Sequence, residues 1–279
     1  MTPTDAYAVI GNPISQSKSP LIHQTFAALT GQDIDYSAIE GPLGGFRDAA
    51  EAFRRSGGRG MNVTAPFKLD AFAYATDLSE QARLAGAVNA LKFDGERIEA
   101  QNFDGIGLVR DIVYNLGFAM AGRRVLLLGA GGAARGALLP FLKEQPLQLH
   151  IVNRTVGKAQ QLHAQFAPYA EGRLSWGSYE QLASTPDRYD LVVNATSASL
   201  HGELPPIEAS VFDSAALAYE LAYGKGLTPF LRLAQQAGVP QLADGVGMLV
   251  EQAAEAFAWW RGVRPASSPM IAQLTVPLV

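Results

Sequence analysis

A glycine-rich segment in the middle of the chain has residue types and a spacing that suit phosphate binding. Residues 129–134 read GAGGAA, which fits the pattern G-x-G-x-x-A. An apolar run at 125–128 precedes the segment and is typical of a buried strand, while a helical pattern follows it directly. In that setting the first glycine permits a tight turn, the second lets the backbone approach a pyrophosphate, and the helix directs free N–H groups at the anion. The segment therefore predicts a dinucleotide-binding turn, with an ordinary strand–helix turn as the alternative.

The residues at the end of the next predicted strand distinguish the two nicotinamide cofactors. An NAD site has Asp or Glu there, which accepts a hydrogen bond from the ribose 2′-hydroxyl. This chain instead has Asn153, Arg154 and Thr155, with Lys158 one turn into the following helix. Two cations and a hydroxyl suit a 2′-phosphate, which a carboxylate would repel. The sequence therefore predicts NADP as the cofactor, with solvated surface charges as the alternative interpretation of Arg154 and Lys158.

A lysine ends a second segment of interest, residues 62–68, which read NVTAPFK. Interconversion of an alcohol and a ketone requires a group that handles the hydroxyl proton while hydride leaves the carbon. None of the nine tyrosines has a lysine four residues later, so a Tyr-x-x-x-Lys pair is excluded. With four scattered histidines and no cysteine, no metal site is expected. A His–Asp pair and a lysine with a carboxylate partner both stay open. Lys68 is the candidate lysine, and a charge in a surface loop is its alternative interpretation.

The composition limits the classes of protein to be considered. The 279 residues are 48% hydrophobic and 17% charged, with a formal net charge of −4, which argues against a nucleic-acid-binding protein. The absence of cysteine excludes disulfides and thiolate nucleophiles. The first residues lack the pattern of a signal peptide, and no segment reaches the ~20 apolar residues of a membrane helix. A cytoplasmic protein that binds a small molecule, with no nucleic-acid or membrane partner, is expected.

Strand and helix patterns alternate along the whole chain and predict an α/β fold. From residue 124 onward the strands are apolar on both faces and alternate with helices, which is typical of a parallel sheet covered on both sides. Before that point the first helix is predicted to begin with Ser19 as its N-cap. Strands are predicted at 7–10, 34–39, 60–64 and 87–93, and helices at 20–29, 46–55, 79–85, 108–115 and 248–260.

Several motifs, in a fixed order, make the chain similar to a known family. They are GNPISQSKSP (11–20), NVTAPFK (62–68), LAGAVNA (84–90), NFDGIG (102–107), GAGGAARG (129–136), NRT (153–155), NATS (194–197), TPFL (228–231) and DGVGMLVEQAA (244–254). With these motifs the chain resembles shikimate dehydrogenases from end to end. The resemblance implies two α/β domains around a deep cleft. Residues 1–104 with 246–279 would form the substrate domain, and residues 105–245 a Rossmann-type, doubly wound NADP domain. It also implies reversible reduction of 3-dehydroshikimate to shikimate with NADPH, in aromatic amino-acid (chorismate) biosynthesis.

The resemblance further implies that Lys68 and Asp104 form a catalytic pair. A desolvated lysine can act as a base, and Asp104 can hold the ammonium in place and bind the substrate hydroxyl. Which of the two takes the proton stays open, because a coupled pair does not allow a unique assignment. The implied substrate contacts are Ser17 and Ser19 for a carboxylate, Asn62, Thr64, Asn89 and Gln252 for ring hydroxyls, and Tyr223.

The implied cofactor contacts lie in the glycine turn and in further segments of the second domain. They are Gly129, Ala130, Gly131, Gly132, Ala133, Asn153, Arg154, Thr155, Lys158, Asn194, Thr196, Ser197, Gly245 and Met248. Core packing is the alternative interpretation of Tyr223 and Met248, and a simple turn is the alternative for residues 194–197.

Four positions depart from the family's usual residues. Phe103 and Ala90 each stand where a threonine is usual, Ala65 replaces a valine, and Glu220 replaces an aspartate. None of these changes alters the predicted catalytic pair. A pocket altered at Phe103 leaves quinate or an amino-substituted shikimate open as the substrate.

Three other classes of protein share parts of the pattern. A methylenetetrahydrofolate dehydrogenase has a comparable two-domain layout and a lysine, but the polar residues named above suit a small polyol acid better than a large flat pterin. A relative of glutamyl-tRNA reductase would need a cysteine nucleophile, which this chain lacks. A non-catalytic NADP sensor would need neither Lys68 nor Asp104. A monomer or a homodimer is expected.

Overall fold

The structure, a computed structural model, describes residues 4–184 and 188–278. The chain divides into two units, each with its own six-stranded sheet. Unit 1 comprises Met1–Gly107 and Val250–Ala272, and unit 2 comprises Leu108–Leu249 and Gln273–Val279. Within the described residues, no helix is both long enough and apolar enough to span a bilayer.

Unit 1 is built on a mixed sheet with the strand order β2-β1-β3-β5-β6-β4. Strands β1, β2 and β3 are parallel, β5 is antiparallel to both β3 and β6, and β4 is parallel to β6. The strands are β1 (Asp5–Gly11), β2 (Ile34–Glu40), β3 (Gly58–Val63), β4 (Asp77–Leu78), β5 (Ala90–Asp94) and β6 (Arg97–Gln101). The helices are α1 (Ser19–Thr30), α2 (Phe46–Arg55), α3 (Lys68–Tyr74), α4 (Glu80–Ala85), the start of α5 (Asp104–Arg110), most of α10 (Val246–Arg261) and most of α11 (Ser268–Leu274).

Strand β1, which lies between β2 and β3, is buried on both faces. Successive side chains of a strand point to opposite sides of the sheet, and those of β1 enter two different apolar clusters. Ala8 and Ile10 join one apolar cluster, which also contains Phe67. Tyr7 and Val9 join a second cluster on the other side. The continuous apolar run that the sequence shows at 7–10 is therefore the signature of a strand covered on both faces.

Unit 2 is a doubly wound parallel sheet with the strand order β12-β11-β10-β7-β8-β9. The strands are β7 (Arg124–Leu128), β8 (Gln148–Val152), β9 (Leu174–Gly177), β10 (Leu191–Asn194), β11 (Leu217–Glu220) and β12 (Gln241–Ala243). The helices that belong wholly to it are α6 (Gly132–Lys143), α7 (Val156–Ala170), α8 (Tyr179–Ser184) and α9 (Pro229–Gln236). The chain winds outward in both directions from β7, so the switch point of the sheet lies at the carboxyl ends of β7 and β10.

The structure corrects the predicted elements at a few boundaries. Ser19 is the first residue of α1 rather than its N-cap, because the Ile22 N–H already donates to the Lys18 carbonyl, and Lys18 makes no side-chain cap. The helix predicted at 108–115 begins four residues earlier, at Asp104, and its last five residues are π-helical. Helix α3 was not predicted, because its seven residues are too few to show a helical period.

The core of unit 1 contains the buried imidazole ring of His23. Its imidazole has no exposed surface and stacks on the Tyr36 ring at 4.3 Å between centroids, with Phe26 and Trp260 also in ring contact. Burial lowers the pKa of His23 from 6.5 to about 3 because the imidazolium would lose its hydration. Between these two values the unfolded chain binds a proton that the folded chain does not. The folded state therefore loses stability as the pH falls below about 6.5.

We expect His23→Phe to remove the loss of folding stability that protonation of this ring causes as the pH falls. The titrating ring contributes a loss of about 1.4 kcal/mol in the free energy of unfolding for each pH unit below about 6.5, and the phenyl ring contributes none. Urea unfolding of wild type and variant at neutral pH and near pH ~5 measures the difference. Phe26→Leu is the control, since it disturbs the same cluster and should keep the wild-type pH dependence. An unchanged pH dependence in His23→Phe would show that another group is responsible.

Candidate active site

The predicted catalytic residues form a direct ion pair in unit 1. Lys68 Nζ donates a hydrogen bond to Asp104 Oδ2 at 2.6 Å. Lys68 begins α3 and Asp104 begins α5, and these helices follow β3 and β6. Because both strands run antiparallel to β5, they are parallel to each other, so their carboxyl ends lie at the same edge of the sheet. The two side chains are 33% and 19% exposed, so the pair is accessible from solvent at that edge.

Two asparagines hold Asp104 in place, Asn89 through its carboxylate and Asn102 through its backbone N–H. Asn89 Nδ2 donates to Asp104 Oδ1 at 2.8 Å, so each carboxylate oxygen has its own donor. The Asp104 N–H donates to Asn102 Oδ1 at 3.1 Å, and Asn102 Nδ2 donates to the Ala87 carbonyl. Asn102 is a supporting residue that the sequence analysis missed, although it lies inside the quoted motif NFDGIG.

Asn89 connects the ion pair to a fourth predicted residue. Its Oδ1 accepts the Phe103 N–H at 2.9 Å, which orients the amide so that Nδ2 points at Asp104. The same Nδ2 lies 3.3 Å from Gln252 Oε1 on α10. The structure thus brings Lys68, Asn89, Asp104 and Gln252 into one hydrogen-bonded group. This group offers a cation, a carboxylate and two amides to a polar ligand.

The predicted polar residues of α1 and β3 meet around a buried tyrosine. Tyr36 donates to Asn62 Oδ1 at 2.6 Å, and Asn62 Nδ2 donates to the Asn89 carbonyl at 3.3 Å. Burial raises the pKa of Tyr36 well above its usual value, and a hydrogen bond from Ser19 opposes the shift. Tyr36 was also missed, because it lies on a different strand and no local motif marks it.

The remaining predicted substrate contacts of unit 1 lie in the loop after β1 and at the end of β3. Ser17 is half-buried, and its Oγ accepts the Ser19 N–H at 3.3 Å. Thr64 is half-buried and packs so closely on Gly11 that a Cβ there would lie 2.5 Å from its methyl carbon. A glycine at position 11 is therefore what allows these two segments to approach each other.

Phe103, the departure next to Asp104, is a buried residue. Its ring is 6% exposed and meets the Trp259 ring edge-on at 5.8 Å between centroids. It belongs to the apolar cluster with Tyr7 and Trp260. The position that carries a hydroxyl in the family's usual pattern therefore carries an apolar ring here, while its backbone N–H holds Asn89.

The glycine turn of unit 2 has the conformation that the sequence predicts. Gly129 has φ 110°, and a Cβ there would lie 3.0 Å from the Ala195 carbonyl oxygen, so only glycine fits. Gly131 and Gly132 are exposed with open space where a Cβ would be, and α6 begins without a side-chain cap. The Ala130 N–H is already used, because it donates to Asn153 Oδ1 at 3.1 Å. Uncapped N–H groups above an open surface fit a pyrophosphate.

The residues after β8 place positive charge beside this turn. Arg154, Thr155 and Lys158 are exposed, and the Thr155 hydroxyl makes no cap on α7. Burial raises the pKa of Tyr179 to about 12, and the positive charge of Arg154 opposes the shift, so the guanidinium lies near that ring. Two solvated cations and a hydroxyl fit the 2′-phosphate of NADP.

The turn after β10 is held by its own side chains. Asn194 is fully buried, and its Oδ1 accepts from the Thr196 N–H at 3.1 Å and from the Thr196 hydroxyl at 2.7 Å. The Asn194 amide nitrogen donates to Glu220 Oε2 at 2.9 Å. Ser197 is exposed. Asn194 therefore shapes the turn, and Ser197 is the residue of the segment that faces solvent.

The last three predicted residues differ in exposure. Tyr223 is 47% exposed, so the alternative of core packing is wrong for it. Gly245 is buried, and a Cβ there would collide with the Leu221 carbonyl. Met248 is half-buried, and its N–H donates to the Tyr219 hydroxyl at 3.3 Å. Among residues 4–184 and 188–278, no group of three or more His, Asp or Glu is arranged to hold a metal ion.

Three family models match successive parts of the chain. They are described as shikimate dehydrogenase substrate binding domain (residues 9–91), shikimate / quinate 5-dehydrogenase (residues 112–202) and shikimate 5′-dehydrogenase C-terminal domain (residues 245–275). A shikimate dehydrogenase (NADP(+)) of Nitrosospira multiformis is 54% identical over 271 residues, which is 97% of each chain.

Solved structures agree with these matches. The crystal structure of an Ael1 enzyme from Pseudomonas putida is 60% identical, has a TM-score of 0.95, and matches over 99% of this chain and 100% of that one. Shikimate 5-dehydrogenase from Thermus thermophilus, crystallised with NADP(H) and shikimate, is 29% identical with a TM-score of 0.83, over 96% of this chain and 97% of that one.

A Rossmann-type domain with a phosphate-binding turn, joined to an α/β domain that carries an amine–carboxylate pair, defines an NADP-dependent alcohol oxidoreductase with a substrate-binding domain. The extent of the sequence match narrows the class further. The chain belongs to the shikimate dehydrogenase family.

Proposed function

We propose that the chain catalyses the reversible reduction of 3-dehydroshikimate to shikimate with NADPH, in aromatic amino-acid biosynthesis. The observation that carries the proposal is the contact between Lys68 and Asp104, with Asn89 and Gln252 in the same hydrogen-bonded group. The bound nicotinamide supplies or accepts the hydride. The chain's own residues bind the substrate, orient it and handle the proton of its hydroxyl.

The Lys68–Asp104 pair is the proton-transfer group in this proposal. During oxidation of the alcohol, the hydroxyl proton passes to the pair, and during reduction the pair returns a proton to the new alkoxide oxygen. Because the ammonium and the carboxylate are in contact, the proton is assigned to the pair and not to one member. Asn89 keeps the carboxylate in place during the transfer, since it donates to the oxygen that Lys68 does not use.

The remaining contacts are proposed from the family's pattern and are supported by position. Hydroxyls of Ser17 and Ser19 would bind the substrate carboxylate at the start of α1. The ring hydroxyls would be bound by Asn62, Thr64, Asn89 and Gln252, with Tyr223 as a further contact. NADP would be held by Gly129, Ala130, Gly131, Gly132, Ala133, Asn153, Arg154, Thr155, Lys158, Thr196, Ser197, Gly245 and Met248, and by Asn194 through the turn that it shapes.

The finer organisation is also part of the proposal. Residues 1–104 with 246–279 would form the substrate domain and residues 105–245 the NADP domain. The division of the chain into two units supports this proposal except within a few residues of each boundary and at residues 273–279, which group with unit 2. We further propose a monomer or homodimer that works in the cytoplasm. The cysteine-free sequence is compatible with that compartment.

A substrate panel tests the function. Shikimate and quinate, each with NADP and with NAD, are compared by the absorbance of the reduced nicotinamide. We expect the fastest turnover with shikimate and NADP. A clear preference for quinate would contradict the proposed substrate, whereas a preference for NAD would contradict the cofactor.

Lys68→Ala tests the proton-transfer role. Loss of general acid–base assistance should lower kcat by ~10²–10⁴-fold, while NADP still binds because the lysine lies in unit 1. Steady-state rates and calorimetric titration with NADP measure the two effects. Lys92→Ala, which removes a lysine of the same unit that packs over Trp259, should keep turnover. Near-wild-type turnover in Lys68→Ala would rule out the assigned role.

Arg154→Ala tests the cofactor assignment. A charge-assisted hydrogen bond to the 2′-phosphate is worth enough that its loss should raise the KM for NADP by about 10- to 100-fold, with little change for NAD. Arg173→Ala serves as the control, because that arginine is paired with Glu171 at the start of β9. An equal loss for both cofactors in Arg154→Ala would mean that the guanidinium does not contact the 2′-phosphate.

A further inference from the structure

Glu220, the last residue of β11, is a fully buried carboxyl group whose partners are neutral donors. Its Oε2 accepts from Asn194 Nδ2 at 2.9 Å, from the Ser199 hydroxyl, and from the Thr228 hydroxyl at 3.3 Å. Its Oε1 accepts the Ala222 N–H at 3.2 Å. Burial raises the pKa of Glu220, and these four hydrogen bonds oppose the shift. A carboxyl group so fully enclosed is tolerated because its hydrogen bonds replace water.

The four donors come from three segments at the carboxyl edge of the sheet in unit 2. Asn194 ends β10 and shapes the turn that follows it, and Ser199 lies in the short 3-10 helix Ala198–His201. Ala222 is the second residue after β11, next to Tyr223 in the chain. Thr228 is the N-cap of α9, where its hydroxyl also accepts the Leu231 N–H. One carboxyl group therefore holds the segment after β10, the segment after β11 and the start of α9.

The segment after β10 is in turn the surface on which the glycine turn packs. The Ala195 N–H donates to the Leu128 carbonyl at 2.9 Å, and the Ala195 carbonyl is the atom that leaves no room for a side chain at Gly129. The segment after β10 also contacts the segment after β11, because the Leu221 N–H donates to the Asn194 carbonyl at 3.1 Å. The Leu221 carbonyl in turn excludes a Cβ at Gly245. A shift of Asn194 would displace both glycine positions.

We propose that Glu220 is a positioning residue for the dinucleotide, which fixes the turns after β10 and β11 through Asn194, Ser199, Thr228 and the Ala222 N–H without touching the cofactor itself. The proposal rests on the proposed function only in taking NADP as the bound dinucleotide. Its physical basis is that loss of this acceptor leaves several side-chain donors buried without a partner. These donors belong to the segments after β10 and β11 and to the start of α9, and the segment after β10 packs on the glycine turn that follows β7.

Glu220→Gln in the full chain is the first test. The two hydroxyl partners can rotate to accept from the new amide nitrogen. In either orientation of the Gln amide, however, its nitrogen faces a group that cannot accept, the Asn194 amide nitrogen or the Ala222 N–H, so a donor would face a donor. We expect the dissociation constant for NADP, measured by calorimetry without substrate, to rise about tenfold. The KM for shikimate should stay within about twofold and kcat at saturating NADP should largely persist, because the buried carboxyl group touches neither reactant in the proposal.

The second test exchanges the carboxyl group of position 220 and the amide of position 194. Asn194→Asp alone places two carboxyl groups in contact and should weaken NADP binding further than Glu220→Gln does. The double variant Glu220→Gln/Asn194→Asp restores a donor and an acceptor in exchanged positions, so NADP affinity should recover to within about threefold of wild type. If Glu220→Gln does not fold, Ser199→Ala removes one donor and should show the same selective loss at smaller amplitude.

Glu251→Gln is the matched control for a merely structural effect. Glu251 is a buried carboxyl group of unit 1 that pairs with Arg264 and Ser267, so its loss should lower thermal stability and leave NADP affinity unchanged. Three results would each overturn the inference: unchanged NADP affinity in a folded Glu220→Gln or Ser199→Ala variant, an equal loss of NADP and shikimate affinity, or a double variant no better than Asn194→Asp. Wild-type enzyme that binds NADP but does not oxidise shikimate would instead refute the proposed function.

Discussion

The contact between the Lys68 ammonium and the Asp104 carboxylate is the constraint on which the chemistry proposed for unit 1 depends. The two residues are 36 positions apart, and neither would hold the other at 2.6 Å in a flexible loop. Three strands bring the two residues together, because β3 and β6 lie on either side of β5 and run in the same direction. Each strand delivers the first residue of a helix to the same edge, and an ion pair formed there starts from a nearly fixed geometry.

A hydrogen-bonded framework then removes the remaining freedom of the carboxylate. Asn89 is central to it, because its carbonyl oxygen faces the Phe103 N–H and its nitrogen must therefore face Asp104. The apolar ring of Phe103 supports this arrangement, since it packs on Trp259. The departure at position 103 thus changes the polarity beside the site while it keeps the backbone donor that orients Asn89.

The sequence predicted the parts of the site that depend on local rules. The glycine turn, the cations after β8 and the parallel sheet follow from residue spacing and apolar runs, because backbone conformation and strand burial are local properties. Pairing of Lys68 with Asp104 was inferred from a resemblance, since spacing alone does not place two helices at one edge. Tyr36 and Glu220 each make a hydrogen bond to an asparagine 26 positions away, so their roles depend on strand order and register. No single-chain pattern encodes that register.

Two features of unit 2 depend on different parts of its structure. They are the conformation of the glycine turn and the exposed side chains of Arg154, Thr155 and Lys158. The glycine turn is locked against its neighbours, since even one carbon atom at Gly129 would meet the Ala195 carbonyl. Side chains after β8 project into solvent, and exchanging them disturbs no buried hydrogen bond of Asn194 or Glu220. With the roles proposed for these side chains, selection between phosphorylated and unphosphorylated nicotinamide dinucleotides would drift during evolution at little expense to folding. The capacity to hold any dinucleotide at all would instead be tied to the integrity of the sheet.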